Sequence, residues 1–279
     1  MTQWFVTGAS AGIGREVTEQ LLAAGHQVAA TARDAGRLDD LAAKYPDQIW
    51  TADLDVTDTA AVRAVVTRAF EDLSRIDVVF SNAGRGAVGA AEELTDEAIA
   101  EQIAVNMTGP IQLVRAVLPF LRAQGGGRII QTSTMGAQIS GPGASMYHAS
   151  KWGVEGFLES IIGEVAPFGI GITMVEPGSV RTGFGAALSV APASPAYAGT
   201  PVGRIRQYLD GSGGNLTGTA PGDPARVAAA IITSASVTPA PRRLVLGSDA
   251  YQAVHAALSD RLREVEAGLA LATSTDFPA

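Results

Sequence analysis

The chain has 279 residues, 47% of them hydrophobic, with a formal net charge of −8 and no cysteine. The acidic balance argues against nucleic acid or an anionic membrane as a partner, and the lack of cysteine excludes disulfides, thiolate metal sites and a cysteine nucleophile. The three histidines lie far apart in sequence, so no metal site is expected. The N-terminus lacks signal-peptide features and no apolar run reaches the length of a membrane span, so we expect a cytoplasmic protein.

Short β-rich segments alternate with longer amphipathic segments along the chain. The pattern predicts strands at 3–7, 27–32, 48–54, 77–81, 128–133, 171–176 and 242–246, with helices between them that include 13–24, 59–73 and 97–123. Nearly continuous apolar strands are typical of a parallel sheet that is covered on both faces. The alternation implies right-handed crossovers. The sequence therefore predicts an α/β fold, a doubly wound parallel sheet of about seven strands with helices on both faces.

The last third of the chain departs from this alternation. Residues 183–223 are rich in small and turn-forming residues and show little periodicity, and a loop of this length in a compact domain is usually functional or disordered. We expect it to form a mobile lid over a substrate. Residues 249–270 are predicted as an amphipathic helical tail, and 273–279 are expected to fray. No repeat or linker divides the chain, so a single domain over 1–279 is predicted.

A glycine-rich loop lies between the first predicted strand and the first predicted helix. Its sequence, VTGASAGIGRE, occupies residues 6–16. Gly8 permits a tight turn, Gly12 lets the backbone approach a phosphate, and Gly14 lets helix and strand pack closely. The N–H groups and positive end of the helix would then receive a pyrophosphate. The loop therefore predicts a dinucleotide site.

This loop resembles the TGxxxGIG loop of the short-chain dehydrogenase/reductase family. Further motifs similar to those of the family follow in order: DVTD (55–58), SNAG (81–84, with Ser81 in place of the usual Asn), VNMTG (105–109), STMG (133–136), YHASK (147–151) and EPGSVRT (176–182). The resemblance is strong over residues 2–182 and weak beyond them. It implies a Rossmann-type fold, a nicotinamide cofactor and hydride transfer. The cofactor-binding residues that it implies are Gly8, Ser10, Gly12, Ile13, Gly14, Arg33, Asp55, Val56, Asn82, Ala83, Gly84, Tyr147, Lys151, Pro177, Gly178, Val180 and Thr182.

The end of the second predicted strand bears on the choice of cofactor. NAD-preferring members of the family usually have an acidic residue there, which accepts from the ribose 2′-hydroxyl. Here the position holds Ala32, followed by Arg33. Arginine offers a planar, permanently charged fork that suits a 2′-phosphate, although Asp34 beside it opposes a phosphate. We therefore expect NADP(H) to be favoured over NAD(H).

The YHASK segment contains a tyrosine and a lysine one helical turn apart. Free tyrosine has a pKa near 10, and a nearby ammonium together with the positive nicotinamide ring is expected to lower it. The resemblance implies that Tyr147 is the general acid/base and that Lys151 supplies this charge and holds the ribose. Pro110 cannot donate to the carbonyl of Asn106, which is therefore expected to be free to hold a water. In the family this asparagine takes part in a proton relay.

The hydroxyl that positions the substrate has two candidates. The family has a serine thirteen positions before the tyrosine, and that position is Thr134, whereas the residue type matches its neighbour Ser133. Neighbours at a strand end point to opposite faces, so only one can face the substrate. The spacing favours Thr134.

The resemblance implies an NADP(H)-dependent carbonyl reductase or alcohol dehydrogenase that acts on a small molecule. The alternatives are a catalytically idle NADP(H)-binding sensor that binds protein partners and, with less support from the short C-terminal tail, an epimerase or dehydratase. Family members commonly associate through the helices around 97–123 and 148–165, so a homodimer or homotetramer is expected. The substrate is left open by the sequence.

Overall fold

The strands and helices alternate as the sequence predicts. In a computed structural model, which describes residues 1–211 and 219–277, the strands are β1 (Gln3–Thr7), β2 (Gln27–Ala32), β3 (Ile49–Asp53), β4 (Val78–Ser81), β5 (Ala87–Val88), β6 (Gly127–Thr132), β7 (Ile170–Pro177), β8 (Ser189–Val190) and β9 (Arg243–Leu246). The helices are α1 (Gly12–Ala23), α2 (Asp39–Lys44), α3 (Thr59–Leu73), α4 (Asp96–Ile103), α5 (Gly109–Ala123), α6 (Ser145–Val165), α7 (Pro201–Gly211), α8 (Pro224–Ser234), α9 (Ser248–Ala267) and α10 (Leu269–Thr273). Short 3₁₀ turns join several of them.

Seven of these strands form one parallel sheet with the order β3–β2–β1–β4–β6–β7–β9. The strand order reverses between β1 and β4, because the chain first builds outward to β3 and then returns to the other side of β1. In open α/β sheets a crevice opens at this switch point, beyond the carboxyl ends of the strands. The predicted doubly wound, Rossmann-type sheet of about seven strands is confirmed, as is the helical C-terminal region.

Each face of the sheet is covered by its own apolar core. Trp4 faces the side covered by α1 and α8, where it joins Leu21 and Ile231. Phe5, its neighbour on β1, faces the side covered by α3, α5 and α6 and joins Leu158. Successive side chains of a strand point to opposite faces. Both faces of β1 are therefore buried, which explains why its sequence is apolar without alternation.

The segment 183–223 contains more regular structure than the sequence indicates. β8 pairs in parallel with β5 in a second, two-stranded sheet, and α7 follows it. The prediction of a segment with little regular structure was therefore wrong for 183–211. Residues 212–218 and 278–279, which include parts of the predicted lid and of the predicted frayed tail, lie outside the described residues.

One helical stretch is long and apolar enough to cross a membrane by length and composition alone. It runs from Asp96 to Ala123 and joins α4 to α5 through a π-helical turn. The expectation that no apolar run reaches this length was therefore wrong. The apolar side chains of α5 pack in the protein core, where Leu113, Val117 and Leu121 are fully buried. Core packing thus accounts for part of the hydropathy of this stretch, whose most apolar window is 33% buried.

Candidate active site

The glycine loop lies at the carboxyl end of β1, where the strand order reverses. Gly8 and Gly12 have positive φ angles of 66° and 54°, which favour glycine. A Cβ on Gly14 would lie 2.3 Å from the carbonyl oxygen of Gly8, so only glycine fits where α1 passes the loop. The N-cap residue of α1 is Ala11, whose side chain has no polar atom to cap the helix. The free N–H groups at this helix start are suited to an anion.

Asn82 holds the glycine loop in place. Its main-chain N–H donates to Oγ1 of Thr7 at 2.9 Å, and its Nδ2 lies 3.3 Å from the carbonyl oxygens of Thr7 and Gly8. Its Oδ1 accepts from Oγ1 of Thr132 at 3.1 Å. The neighbouring N–H of Ala83 also donates to Oγ1 of Thr7. Asn82 therefore connects the carboxyl ends of β1, β4 and β6.

The residues predicted to meet the adenosine half of a cofactor lie along the ends of β2 and β3. Oδ1 of Asp55 accepts from the main-chain N–H and the hydroxyl of Thr57, at 2.9 and 2.7 Å. These two bonds, with a smaller contribution from the charge of Arg33, hold the pKa of Asp55 below its usual range. Arg33 is exposed and Val56 is buried. Arg33 and Asp55 are thus close enough to interact electrostatically.

The EPGSVRT segment returns the chain to the glycine loop. The N–H of Gly178 donates to the carbonyl of Leu246 at 2.8 Å, which continues the β7–β9 pairing past Pro177. Val180 forms an isolated bridge with Gly222. The Cβ of Thr182 lies 3.5 Å from the position that a Cβ on Gly12 would occupy. The last predicted cofactor residue therefore lies against the first loop, while Ser10 and Ile13 lie half-buried within that loop.

Tyr147 and Lys151 lie one turn apart near the start of α6. The Thr134 side chain lies close enough to the Tyr147 hydroxyl to act on its pKa, and the Tyr147 ring centroid lies 6.1 Å from that of Phe184 in segment 183–211. Lys151 is 3% exposed, and its Nζ donates to the carbonyl oxygen of Thr132 at 2.9 Å. That Nζ also lies 3.8 Å from the position of a Cβ on Gly84. The two side chains therefore lie at the ends of β4 and β6.

Burial dominates the ionisation of both side chains. It raises the pKa of Tyr147 above its ordinary value, and the hydrogen bond from Thr134 opposes this rise without cancelling it. It lowers the pKa of Lys151 to about 8, while the charge of Glu155 acts in the opposite direction. For the protein alone, a phenolate at this half-buried side chain loses more hydration than the neighbouring Thr134 restores. The expectation of a lowered tyrosine pKa concerns the site with a bound nicotinamide ring, and it stays a prediction.

Ser133 and Thr134 face different surroundings. The Ser133 hydroxyl is buried and donates to Oε1 of Glu155 at 2.5 Å, away from Tyr147. The Thr134 hydroxyl accepts from the N–H of Gly136 at 3.1 Å and lies near Tyr147. The structure thus brings Thr134, and not Ser133, to the tyrosine.

Asn106 lies in the π-helical turn Ala104–Thr108 that joins α4 to α5. Within this turn the N–H of Gly109 donates to the carbonyl of Ala104, five residues back. The Asn106 side chain is fully buried, and it exchanges two hydrogen bonds with the main chain of Arg85, at 3.0 and 2.8 Å. Its Nδ2 also lies 3.3 Å from the hydroxyl of Ser150 on α6. Asn106 therefore links the π turn to the SNAG segment and to α6, and single π turns are frequent at functional sites.

Two neighbours of the site are absent from the sequence motifs. Phe184 lies beside Tyr147, and Glu155 lies one turn after Lys151 on α6. The spacing of four residues between Lys151 and Glu155 is a signal that the sequence carried. The position of Phe184 beside Tyr147 could be known only from the fold of segment 183–211. Among residues 1–211 and 219–277, no group of three histidine or acidic side chains is arranged to hold a metal ion.

Comparisons with known proteins agree with this geometry. The family described as short chain dehydrogenase matches residues 3–192. The chain is 37% identical over 251 residues to Oxidoreductase BOA17 of Botryotinia fuckeliana. The match covers 89% of this chain and 90% of that protein. A short-chain dehydrogenase structure from Streptomyces avermitilis has a TM-score of 0.90 and 39% identity and covers 99% of this chain and 100% of that one.

A third similar structure is an alcohol dehydrogenase from Thermococcus sibiricus, complexed with 5-hydroxy-NADP. It has a TM-score of 0.71 and 25% identity, and the match covers 88% of this chain and 96% of that one. The family match spans more than half of the chain, and the S. avermitilis structure matches it almost from end to end. The chain therefore belongs to the short-chain dehydrogenase/reductase family and is an oxidoreductase of that family.

Proposed function

We propose that the protein transfers hydride between NADP(H) and a carbonyl or secondary alcohol, with Tyr147 as the general acid/base. The observation that carries the proposal is that Tyr147 and Lys151 lie one turn apart on α6 beside Thr134, at the crevice edge that also holds the glycine loop. An oxidoreductase of this family needs a proton donor at such a place, because a carbonyl oxygen gains charge as hydride reaches its carbon.

The residues at the crevice fit a nicotinamide dinucleotide. Gly14 leaves room where a Cβ would collide, and the uncapped start of α1 suits a pyrophosphate. The T. sibiricus relative, which is complexed with 5-hydroxy-NADP, supports a cofactor of this class. The preference for NADP(H) rests on Arg33, which is exposed and carries no ion pair among the described residues. When bound, the cofactor supplies or accepts the hydride.

The ionisation of the site suits proton donation to a carbonyl oxygen. Because burial raises the pKa of Tyr147, the phenol is protonated at neutral pH and can donate to a carbonyl oxygen. Thr134 offers that oxygen a second hydroxyl. Lys151, with a pKa of about 8, is mostly cationic at pH 7 and stabilises the phenolate that remains after donation. Asn106, through its place beside Ser150 and the SNAG segment, is assigned to the path by which the proton is replaced.

Segment 183–211 is assigned to the substrate side of the site as a lid. Phe184 contacts the Tyr147 ring region, and a Cβ on Gly86 would lie 2.4 Å from Cδ2 of Leu188. The lid is attached by Glu93, whose carboxylate accepts from the N–H of Ser194 at 2.7 Å and from the guanidinium of Arg206 at 2.6 Å. We also propose that the protein forms homodimers or homotetramers, which light scattering of the purified protein would test.

Replacement of Tyr147 by Phe tests the function directly. The ring and its contact with Phe184 remain, whereas the proton is lost, so NADPH affinity should persist while carbonyl reduction falls by about 10²–10⁴-fold. Tyr251→Phe is the matched control, because Tyr251 is 64% exposed on α9 and lies outside the site. Full activity of Tyr147→Phe would remove the tyrosine from the mechanism. NADPH binding by the wild-type protein without turnover of any carbonyl in a broad panel would favour a nucleotide sensor instead.

A further inference from the structure

A buried polar network lies directly beneath the proposed catalytic residues. We call it the Glu155 network, and its members are Ser133, Gln138, Glu155, Glu176 and Arg243. The side chains of Ser133, Gln138, Glu155 and Glu176 are all buried. The network departs from the usual apolar interior of a parallel sheet, and the sequence motifs do not account for it.

Glu155 accepts hydrogen bonds from three different parts of the chain. Its Oε1 accepts from the Ser133 hydroxyl at 2.5 Å. Its Oε2 accepts from Nε2 of Gln138 at 3.0 Å and from Nη2 of Arg243 at 2.8 Å. Ser133 and Gln138 bracket the segment that carries Thr134, while Arg243 begins β9. Glu155 therefore joins α6 to the segment 133–138 and to the edge of the sheet.

The position of Glu155 on α6 connects these bonds to the site. Tyr147, Lys151 and Glu155 are spaced by four residues, so they lie in one row along the helix. For Tyr147 and Thr134 to face one substrate oxygen, α6 and the segment 133–138 must keep one relative position. A deviation of about 1 Å at a reacting group can cost about 10²-fold in rate. Glu155, which lies on α6 with Tyr147, is hydrogen-bonded to both ends of the segment that carries Thr134.

We propose that Glu155 is a positioning residue that fixes Tyr147 relative to Thr134 and keeps Lys151 in its cationic form. The proposal rests on the proposed function of Tyr147. The first part follows from the hydrogen bonds of its two oxygens. The second follows from its negative charge one turn from the buried Lys151 ammonium, whose hydrogen bond goes to a neutral group, the carbonyl oxygen of Thr132.

The charges around Glu155 come from four elements. Lys151 and Glu159 flank Glu155 on α6. Glu176 of β7 lies near it, and Arg243 of β9 forms an ion pair with it. From α9, Arg261 donates to the carbonyl oxygen of Gln138. Burial and the charge of Glu155 raise the pKa of Glu176 to about 7, so this carboxyl is largely protonated below neutral pH.

Three variants separate the two parts of the proposal. Glu155→Gln keeps the size of the side chain but removes its charge. It places an amide N–H₂ or oxygen where Gln138 and Arg243 both donate. Glu155→Asp keeps the charge but shortens the side chain, so it cannot hold Ser133 and Arg243 together. Glu159→Gln is the matched control, because Glu159 also binds Arg243 from α6 but is 48% exposed and has no bond to Ser133.

We expect Glu155→Gln to lower kcat for carbonyl reduction and to move the high-pH limb of the rate profile to lower pH by about one unit or more. The sign follows because the lost negative charge raised the pKa of Lys151, so the ammonium would lose its proton at a lower pH. Glu155→Asp should lower kcat and leave the limb in place. Glu159→Gln should change neither. A profile of Glu155→Gln that matches that of the wild type would overturn the charge role, and undiminished kcat in Glu155→Asp would overturn the positioning role.

A second readout is independent of turnover. The titration of Lys151 can be followed by NMR of protein labelled at the lysine side chains, with the Lys151→Met variant used to assign its signal. The Lys151 titration should move to lower pH in Glu155→Gln and stay in place in Glu159→Gln. If the wild type reduces no carbonyl, the proposed function fails, while this titration still decides whether Glu155 controls the charge of Lys151. If Glu155→Gln does not fold, Glu155→Asp and the wild-type titration carry the test, and a Lys151 that titrates at the ordinary lysine value of about 10.4 refutes the proposed buried, Glu155-supported ammonium.

Discussion

Removal of the Thr134 hydroxyl is the sharpest test of how the site stabilises charge. The side chain is 9% exposed, and its hydroxyl accepts from the N–H of Gly136 at 3.1 Å and lies near Tyr147. As hydride reaches a carbonyl carbon, the oxygen gains negative charge and needs donors already in place. In the proposed function Tyr147 provides one donor and Thr134 the other, so Thr134→Ala removes one of the two.

The size of the expected loss in kcat follows from the usual cost of removing a hydrogen-bond donor of this kind. Removing one preorganised donor to an oxyanion costs about 10²–10³-fold in kcat, which is about 2.7–4 kcal/mol. Thr134→Ser keeps the hydroxyl and loses one methyl group, so its effect should be confined to about 1 kcal/mol of folding stability. Ser133→Ala should have the opposite profile. It removes a hydrogen bond to a buried carboxylate and should lower the free energy of unfolding by about 1.5–3 kcal/mol, with a much smaller loss of turnover than Thr134→Ala.

The assay combines steady-state carbonyl reduction at saturating NADPH with urea unfolding of the same preparations. The assignment holds if Thr134→Ala loses turnover with near-normal unfolding while Ser133→Ala loses stability with most of its turnover. It is refuted if Ser133→Ala is the variant with the crippled kcat and Thr134→Ala turns over normally. That outcome would mean that the substrate oxygen approaches from the side of the Glu155 network.

Three further variants test other parts of the molecule. Arg33→Ala should weaken NADPH binding by roughly ten- to a hundredfold, the loss of about 1.5–3 kcal/mol from one charge-assisted contact, and change NADH binding little; equal losses would make Arg33 structural. Because the folded-state pKa of Glu176 is raised to about 7, its contribution to the free energy of unfolding is present at low pH and is lost as pH rises through 7. Urea unfolding at pH 5.5 and 8 should show this decline, and Glu176→Gln should flatten it. Glu93→Gln should speed amide hydrogen exchange over 189–206, whereas the same exchange rates in the variant and the wild type would show that other contacts hold the lid.

The order of strands and helices could be predicted because each short apolar run becomes a buried strand in a sheet that is covered on both faces. The helix α7 could not be predicted. Its sequence, PVGRIRQYLDG, contains glycine at both Gly203 and Gly211, which disfavours a helix by local propensity. Arg206 within it bonds to Glu93, which is 113 residues away in the sequence, and to the carbonyl of Ala191. Tertiary contacts of this kind stabilise a helix that local patterns do not indicate.

The site shows the same division between local and distant information. The glycine loop follows from spacing alone, since Gly8 and Gly12 have positive φ angles and Gly14 packs against the carbonyl of Gly8 within the loop. The side to which Ser133 turns depends on Glu155, 22 residues further on, and on Arg243 from the far edge of the sheet. The pKa direction of Tyr147 depends on how deeply α6 is covered, which the YHASK motif does not contain. The general site was therefore predictable, whereas its electrostatics required the packed structure.

The pairing of β5 with β8 has a consequence for how this oxidoreductase can acquire new substrates. The lid is joined there by main-chain bonds, from the N–H of Ser189 to the carbonyl of Gly86 at 3.0 Å and from the N–H of Ala191 to the carbonyl of Val88 at 2.8 Å. Such bonds make little demand on side-chain identity, except that a Cβ on Gly89 would lie 2.7 Å from the Cβ of Ala191. Under the proposed function, sequence change that alters substrate range can therefore accumulate on the β8 side while the main-chain attachment persists, and a library confined to 183–190 would explore new substrates with that attachment intact.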